Sequence, residues 1–97
     1  MTNHHVEVIH NAHDQRFEAT LEDNDIALMD YQISGNTITF IHTEVPPKYE
    51  GRGIASQIAK VALDYARDKG YKIQSTCSFV DMYLRKHKEY QSTAQGY

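Results

Sequence analysis

The sequence predicts an α/β fold built on a mixed sheet. Its first four strands run antiparallel, its fourth and fifth run parallel, and one face carries a long helix. Three observations predict it. Up to Val45, apolar and polar residues alternate with the period of strands, broken by turn-forming clusters. The chain then passes through its two prolines, Pro46 and Pro47, and takes up a helical period. Another strand follows that helix, and a crossover of such length joins parallel strands with a right-handed connection.

The elements follow in order. His5 to Ile9 reads as a short first strand with Val6 and Val8 on one face. Arg16 to Glu22 alternates, with Phe17, Ala19 and Leu21 facing inward. Asp23-Asn24-Asp25 is turn chemistry, and Ile26 to Ile33 is a third strand with Ala27, Met29, Tyr31 and Ile33 on one face. Ser34-Gly35-Asn36 is a second turn before a β-branched fourth strand, Thr37 to Val45, which the prolines stop. From Arg52 to Lys69 the apolar positions Ile54, Ala55, Ile58, Val61, Ala62, Leu63, Tyr65 and Ala66 form one stripe, and Gly70 supplies the stop. Tyr71 to Cys77 reads as the fifth strand. A capping box with Ser78 as N-cap and Asp81 in the acidic position opens a last helix from Phe79 to about Lys88. Residues 1–91 read as a single domain and Ser92 to Tyr97 as a frayed tail.

Composition bounds the function. The chain has 97 residues, 40% hydrophobic and 24% charged, which suits one small globular domain with room for one core and one cleft. A net charge of -3 argues against a general nucleic-acid binder. The single cysteine, Cys77, forms no internal disulfide and fits a cytoplasmic location. The N-terminal residues lack the basic and apolar regions of a signal peptide, and no stretch approaches the ~18 apolar residues of a membrane span. The six histidines show no metal-binding spacing, so no metal site is expected.

The unusual segment is Val45-Pro46-Pro47-Lys48-Tyr49-Glu50-Gly51-Arg52-Gly53-Ile54-Ala55, at the junction of strand and long helix. Three physical readings fit its glycines. They serve a plain turn that needs positive φ, a nucleotide loop, or a different phosphate cradle. A dinucleotide loop needs a third glycine where Ser56 stands, and a P-loop needs a Gly-Lys-Ser/Thr tripeptide that is absent. In a cradle, Gly51 and Gly53 bare the backbone, the N–H groups up to Ser56 converge, and the helix dipole favours an anion.

Val45-x-Pro47-x-Tyr49-x-Gly51-x-Gly53-Ile54-Ala55, between a strand and a long helix, resembles the acyl-CoA signature of the GNAT superfamily of N-acetyltransferases. Cys77, Tyr83 and His87-Lys88-Glu89-Tyr90 extend the likeness to a subfamily of very small GNAT-like proteins. The resemblance implies a minimal acyl-CoA N-acyltransferase fold that binds acetyl-CoA and transfers acetyl to an amine, or an acyl-CoA-binding module without transfer. It implies that the N–H groups of Gly51, Arg52, Gly53, Ile54, Ala55 and Ser56 hold the pyrophosphate. It implies that the fourth strand near Thr43 and Val45 pairs with the pantetheine arm, and that Tyr83 lies near the CoA sulfur as general acid. Glu50 departs from the signature, which has Arg or Gln there, and a carboxylate repels a pyrophosphate. Only Asn11 to Gln15 join the first two strands, where typical members insert two helices. That shortening implies an open acceptor side, suited to an amine on a large partner such as a protein.

The chemistry needs a base for the amine proton and an acid for the thiolate. Glu44 and His42 share a strand face and are the base candidates. Cys77 precedes a helix N-terminus, where a thiol becomes nucleophilic, so a covalent acetyl intermediate is open to it.

Overall fold

Five strands in the order β1-β2-β3-β4-β5 form one sheet, and both α-helices follow β4 in the chain. The structure is a computed structural model, and it describes residues 5–94. The strands are β1 (Val8–Asn11), β2 (Arg16–Thr20), β3 (Ile26–Ser34), β4 (Thr37–Glu44) and β5 (Lys72–Ser75). The α-helices are α1 (Ile54–Asp68) and α2 (Ser78–Lys86). Neighbouring strands from β1 to β4 are antiparallel, and β4 and β5 are parallel, as the crossover requires.

The core sits between one sheet face and the helices. Phe17, Ala19, Ala27, Met29, Ile38, Phe40 and Ile73 line that face and are fully or almost fully buried. Against them α1 sets Ile58, Ala59, Ala62, Leu63 and Ala66. These recur at three- and four-residue spacing, which keeps them on one side of a helix. Val61 falls off that stripe and is 41% exposed. Ile9, Ile26 and Ile41 are also exposed, at 55%, 41% and 36%.

Several boundaries differ from the sequence expectation. The first strand starts at Val8, not His5, because the Val6 N–H turns away to the Gln57 side chain of α1 at 2.9 Å. A residue bonded to the helix layer cannot also extend the sheet. The long helix starts at Ile54, not Arg52, since Gly51 and Gly53 hold left-handed φ values of 82° and 77°. The expected Ser78 cap is replaced. Ser78 is already helical, Cys77 is the N-cap, and the cap makes no side-chain hydrogen bond. Ser92 to Ala94, expected in a tail, belong to the fold. Ile73 donates its N–H to the Thr93 carbonyl at 2.8 Å, and Ala94 bridges to Ile73, covering the outer edge of β5.

Two irregularities shape the site. The β3–β4 register passes from Tyr31↔Phe40 to Asp30↔His42, so Ile41 is an extra residue in β4. The bulge reverses the alternation, so that Thr43, opposite Met29, takes the core side while His42 and Glu44 face the other way. The β4–β5 ladder ends at Phe40↔Ser75, with a last bond from the Thr76 N–H to the Phe40 carbonyl. Beyond it the two strands part, and β4 from Ile41 to Glu44 has no β5 partner among the described residues.

Candidate functional site

The parting of β4 and β5 and the start of α1 lie at the same end of the molecule. After β4, Pro47–Tyr49 make one turn of 3-10 helix, and the chain reaches α1 through Glu50-Gly51-Arg52-Gly53. Tyr49, 3% exposed, anchors this loop, and its hydroxyl donates to the Glu22 carbonyl at 2.9 Å. Lys48 pairs with Asp23 at 3.4 Å and Asp25 at 3.3 Å, tying the same loop to the β2–β3 turn. The loop therefore has a fixed back and an open front.

Its front is backbone. Gly53 occupies the N-cap of α1 in the left-handed region, and no side chain caps this end. The first helical bond runs from the Gln57 N–H to the Gly53 carbonyl at 3.2 Å. The N–H groups of Ile54, Ala55 and Ser56 precede it and take no partner inside the helix. Ordinary helices satisfy such groups with a Ser, Thr, Asp or Asn cap, and this end has none. No acidic residue lies in the first turn to oppose an incoming anion. A cavity of about 250 Å³ opens here, lined by Val45, Tyr49, Glu50, Gly51, Gly53, Ile54, Ala55, Ser56 and Phe79.

Each expected residue can now be placed. Val45, Gly51, Gly53, Ile54, Ala55 and Ser56 line one cavity together. Arg52 turns the other way, its guanidinium 5.3 Å from the centre of the Tyr49 ring, so only its backbone belongs to the loop front. Glu50 is exposed at the cavity rim. Thr43 meets Cys77 where β4 and β5 part, Oγ1 to Sγ at 3.3 Å. Glu44 meets His42, Oε1 to Nε2 at 3.4 Å, and both side chains are more than half exposed. Tyr83 lines a second, larger cavity with Ser56 and Lys60. Burial pushes its phenol above the usual range, against an opposing pull from Lys60, so it keeps its proton at neutral pH. Phe79, one helical turn before Tyr83, lines the smaller cavity instead. Sequence reading passed over Phe79 and took Tyr83 as the residue of α2 near the CoA sulfur. It also passed over the bulge, whose signal is the adjacent apolar pair Phe40-Ile41 inside an alternating strand.

Comparisons with known proteins give the family. Residues 16–93 match the family model of the GCN5-related N-acetyl-transferases. Protein NATD1 of Gallus gallus is 34% identical over 84 residues, spanning 84% of this chain and 76% of that protein. Protein NATD1 of Homo sapiens is also 34% identical, across 84% of this chain and 74% of its own length. The solution structure of a GCN5-like protein from Staphylococcus aureus superposes with a TM-score of 0.72 at 27% identity, covering 100% of this chain and 93% of that one. The chain belongs to the GCN5-related N-acetyltransferase family.

Proposed function

We propose that this protein binds acetyl-CoA at the start of α1 and transfers the acetyl group to an amine of a larger partner. The observation that carries the reading is the uncapped, side-chain-free N-terminus of α1, facing a cavity beside a strand that has lost its neighbour. The family relationship supports it. The N–H groups from Gly51 to Ser56 would hold the pyrophosphate, as helix N-termini hold anions. The unpartnered edge of β4 near Thr43 and Val45 would pair with the pantetheine amides. Acetyl-CoA supplies an activated acyl thioester, and the protein supplies position and proton transfer.

Glu44 with His42 forms the base pair of this reading, on the strand face turned away from the helices. Cys77, held at Thr43, stands where an acetyl group would arrive and is the candidate for a covalent relay. Tyr83 contributes binding surface rather than the acid, since its cavity is not the one that Val45 lines. A macromolecular amine is favoured because only the turn 12–15 joins β1 to β2, which leaves the acceptor side unroofed by inserted helices. A second reading, binding without transfer, is favoured by the exposure of both base candidates.

Intact-mass analysis after incubation with acetyl-CoA, with and without lysine peptides and polyamines, tests the proposal. Acetyl on the peptides establishes transfer, and acetyl on neither protein nor acceptor supports binding alone. In Cys77→Ala, a covalent relay loses the labelled enzyme and most of the transfer. Undiminished transfer removes Cys77 from the chemistry.

A further inference from the structure

The sheet has two faces, and the helices cover only one. In β2, β3 and β4 every fully buried side chain points to the helices, and no side chain on the opposite side is buried. Five large apolar side chains are exposed among the described residues, and three of them, Ile9, Ile26 and Ile41, stand on that opposite side. Strand register lays two rows of side chains across it. One runs Ile9, Glu18, Leu28, Glu44 from β1 to β4, and the next runs Asn11, Arg16, Asp30, His42. With neighbouring strands about 4.8 Å apart, each row spans about 14 Å, the reach of roughly four or five extended residues.

We propose that this open face docks the acceptor, a basic segment of a partner protein that lays apolar side chains on Ile9 and Leu28 and brings a lysine to Asp30 and Glu44. The inference rests on the acetyl-transfer reading above, whose base pair, Glu44 with His42, stands at the β4 end of the two rows. Thr43, between them in the chain, points to the other side and meets Cys77. This stretch of β4 therefore turns its base candidates to one face and its acyl side to the other. β4 and β5 have parted here, so an amine held on the open face meets a gap rather than a closed sheet.

Charge selects the occupant. The two rows hold three carboxylates, Glu18, Asp30 and Glu44, against one guanidinium, Arg16. Arg16 is already engaged within the face. Its Nε donates to Glu18 Oε2 at 2.5 Å, and Asn11 donates to the same oxygen at 3.0 Å. Asp30 and Glu44 form no salt bridge with a lysine or arginine among the described residues. Leu28 stands opposite Glu44 and two residues from Asp30 on the same side of β3, so the two carboxylates border an apolar spot. A second copy of this chain would set these carboxylates against their own kind, which disfavours a dimer through this face. A segment with lysine or arginine beside apolar residues meets both features at once.

Two short, N-terminally blocked peptides test the proposal. Each carries a central lysine and flanking leucines, and the remaining positions are arginine in one and glutamate in the other. Amide shifts of the full chain are followed during titration with each, and transfer from acetyl-CoA is measured on both. The arginine peptide is expected to move the amides of Ile9, Glu18, Leu28 and Asp30. It is expected to bind about tenfold more tightly than the glutamate peptide at low salt, the scale of two partly exposed charge pairs, with the preference shrinking as salt is added. Asp30→Asn is expected to cut that preference about threefold. Ile9→Ser is expected to weaken both peptides and raise KM rather than lower kcat, with acetyl-CoA affinity unchanged. Equal affinity for the two peptides, or shifts confined to residues off this face, overturns the docking surface, and the acetyl-CoA reading is then judged separately by the shifts of Gly51 to Ser56. A dimer in sedimentation that Ile9→Ser dissolves gives the face to a second copy and overturns the proposal too. Shifts on this face without transfer in the wild type uphold the surface and overturn the transfer reading.

Discussion

The two ends of α1 are finished in opposite ways. At the C-terminal end Gly70 takes a left-handed φ of 79°, its N–H donates to the Arg67 carbonyl, and the Tyr71 N–H donates to the Ala66 carbonyl, both at 3.0 Å. This pair of bonds is a Schellman closure, and it occupies carbonyls that the helix cannot satisfy by itself. At the N-terminal end Gly53 is left-handed too, yet no side chain or turn caps the first amides. Both ends use glycine for the same conformational freedom. One end spends it on closing the helix and the other on baring it. A protein of this size gains stability from every cap, and the end left without one is the end that faces a cavity.

A matched pair of substitutions breaks the comparison most sharply. Gly53→Ala and Gly70→Ala each force a side chain into the left-handed region, and each is expected to lose about 1–2 kcal/mol in urea unfolding. Only Gly53→Ala is expected to weaken acetyl-CoA, by roughly 10–100-fold, the scale of one charge-assisted hydrogen bond. Equal losses of affinity in both variants would mean that the two ends do not differ in function. Tyr90 extends the test along the closed half. It is fully buried, its hydroxyl donates to Asp64 Oδ1 at 2.6 Å, and Arg67 lies over its ring. Burial alone would raise the Asp64 carboxyl, but hydrogen bonds from Tyr90 and Lys60 outweigh it and hold the group below its usual value. Tyr90→Phe is expected to lose about 1.5–3 kcal/mol of stability, with acetyl-CoA affinity unchanged, by unfolding and calorimetry on the same samples.

How much of this was legible follows from what the sequence encodes locally. The strand order, the parallel last pair and the Gly70 stop were readable because periodicity and glycine act within a few residues. The loop front was readable for the same reason, since Gly51 and Gly53 stand inside it. The bulge at Ile41 was marked only by the apolar pair Phe40-Ile41, because its place is set by pairing with Asp30 and Tyr31 across the sheet. The bond from the Val6 N–H to the Gln57 side chain was not readable, since it joins positions 51 residues apart. Tyr83 was assigned by likeness; it lines the larger cavity at the loop, and Phe79, one turn earlier on α2, lines the smaller.

The smallest expected effect lies far from the loop, in the aromatic cluster under α1. His10 stacks on Phe17 at 4.2 Å and meets the Tyr31 hydroxyl at 2.5 Å, with Tyr65 edge-on. Burial, with a smaller contribution from Lys69, lowers its pKa below 6.5. The unfolded chain then binds the proton more readily, so stability is full above pH 6.5 and declines as pH falls through the lowered value. His10→Gln is expected to flatten that slope in pH-dependent melting curves without changing acetyl-CoA binding at pH 8. An unaltered slope would place the titration elsewhere.

The central claim, that the open end of α1 is an acyl-CoA site and the closed end is not, is tested most directly by amide chemical shifts during a titration with acetyl-CoA. The N–H signals from Gly51 to Ser56 are expected to move with a single saturable affinity, while those of Gly70 and Tyr71 stay in place. Amides of Gly51 to Ser56 that remain still at millimolar ligand would contradict the claim.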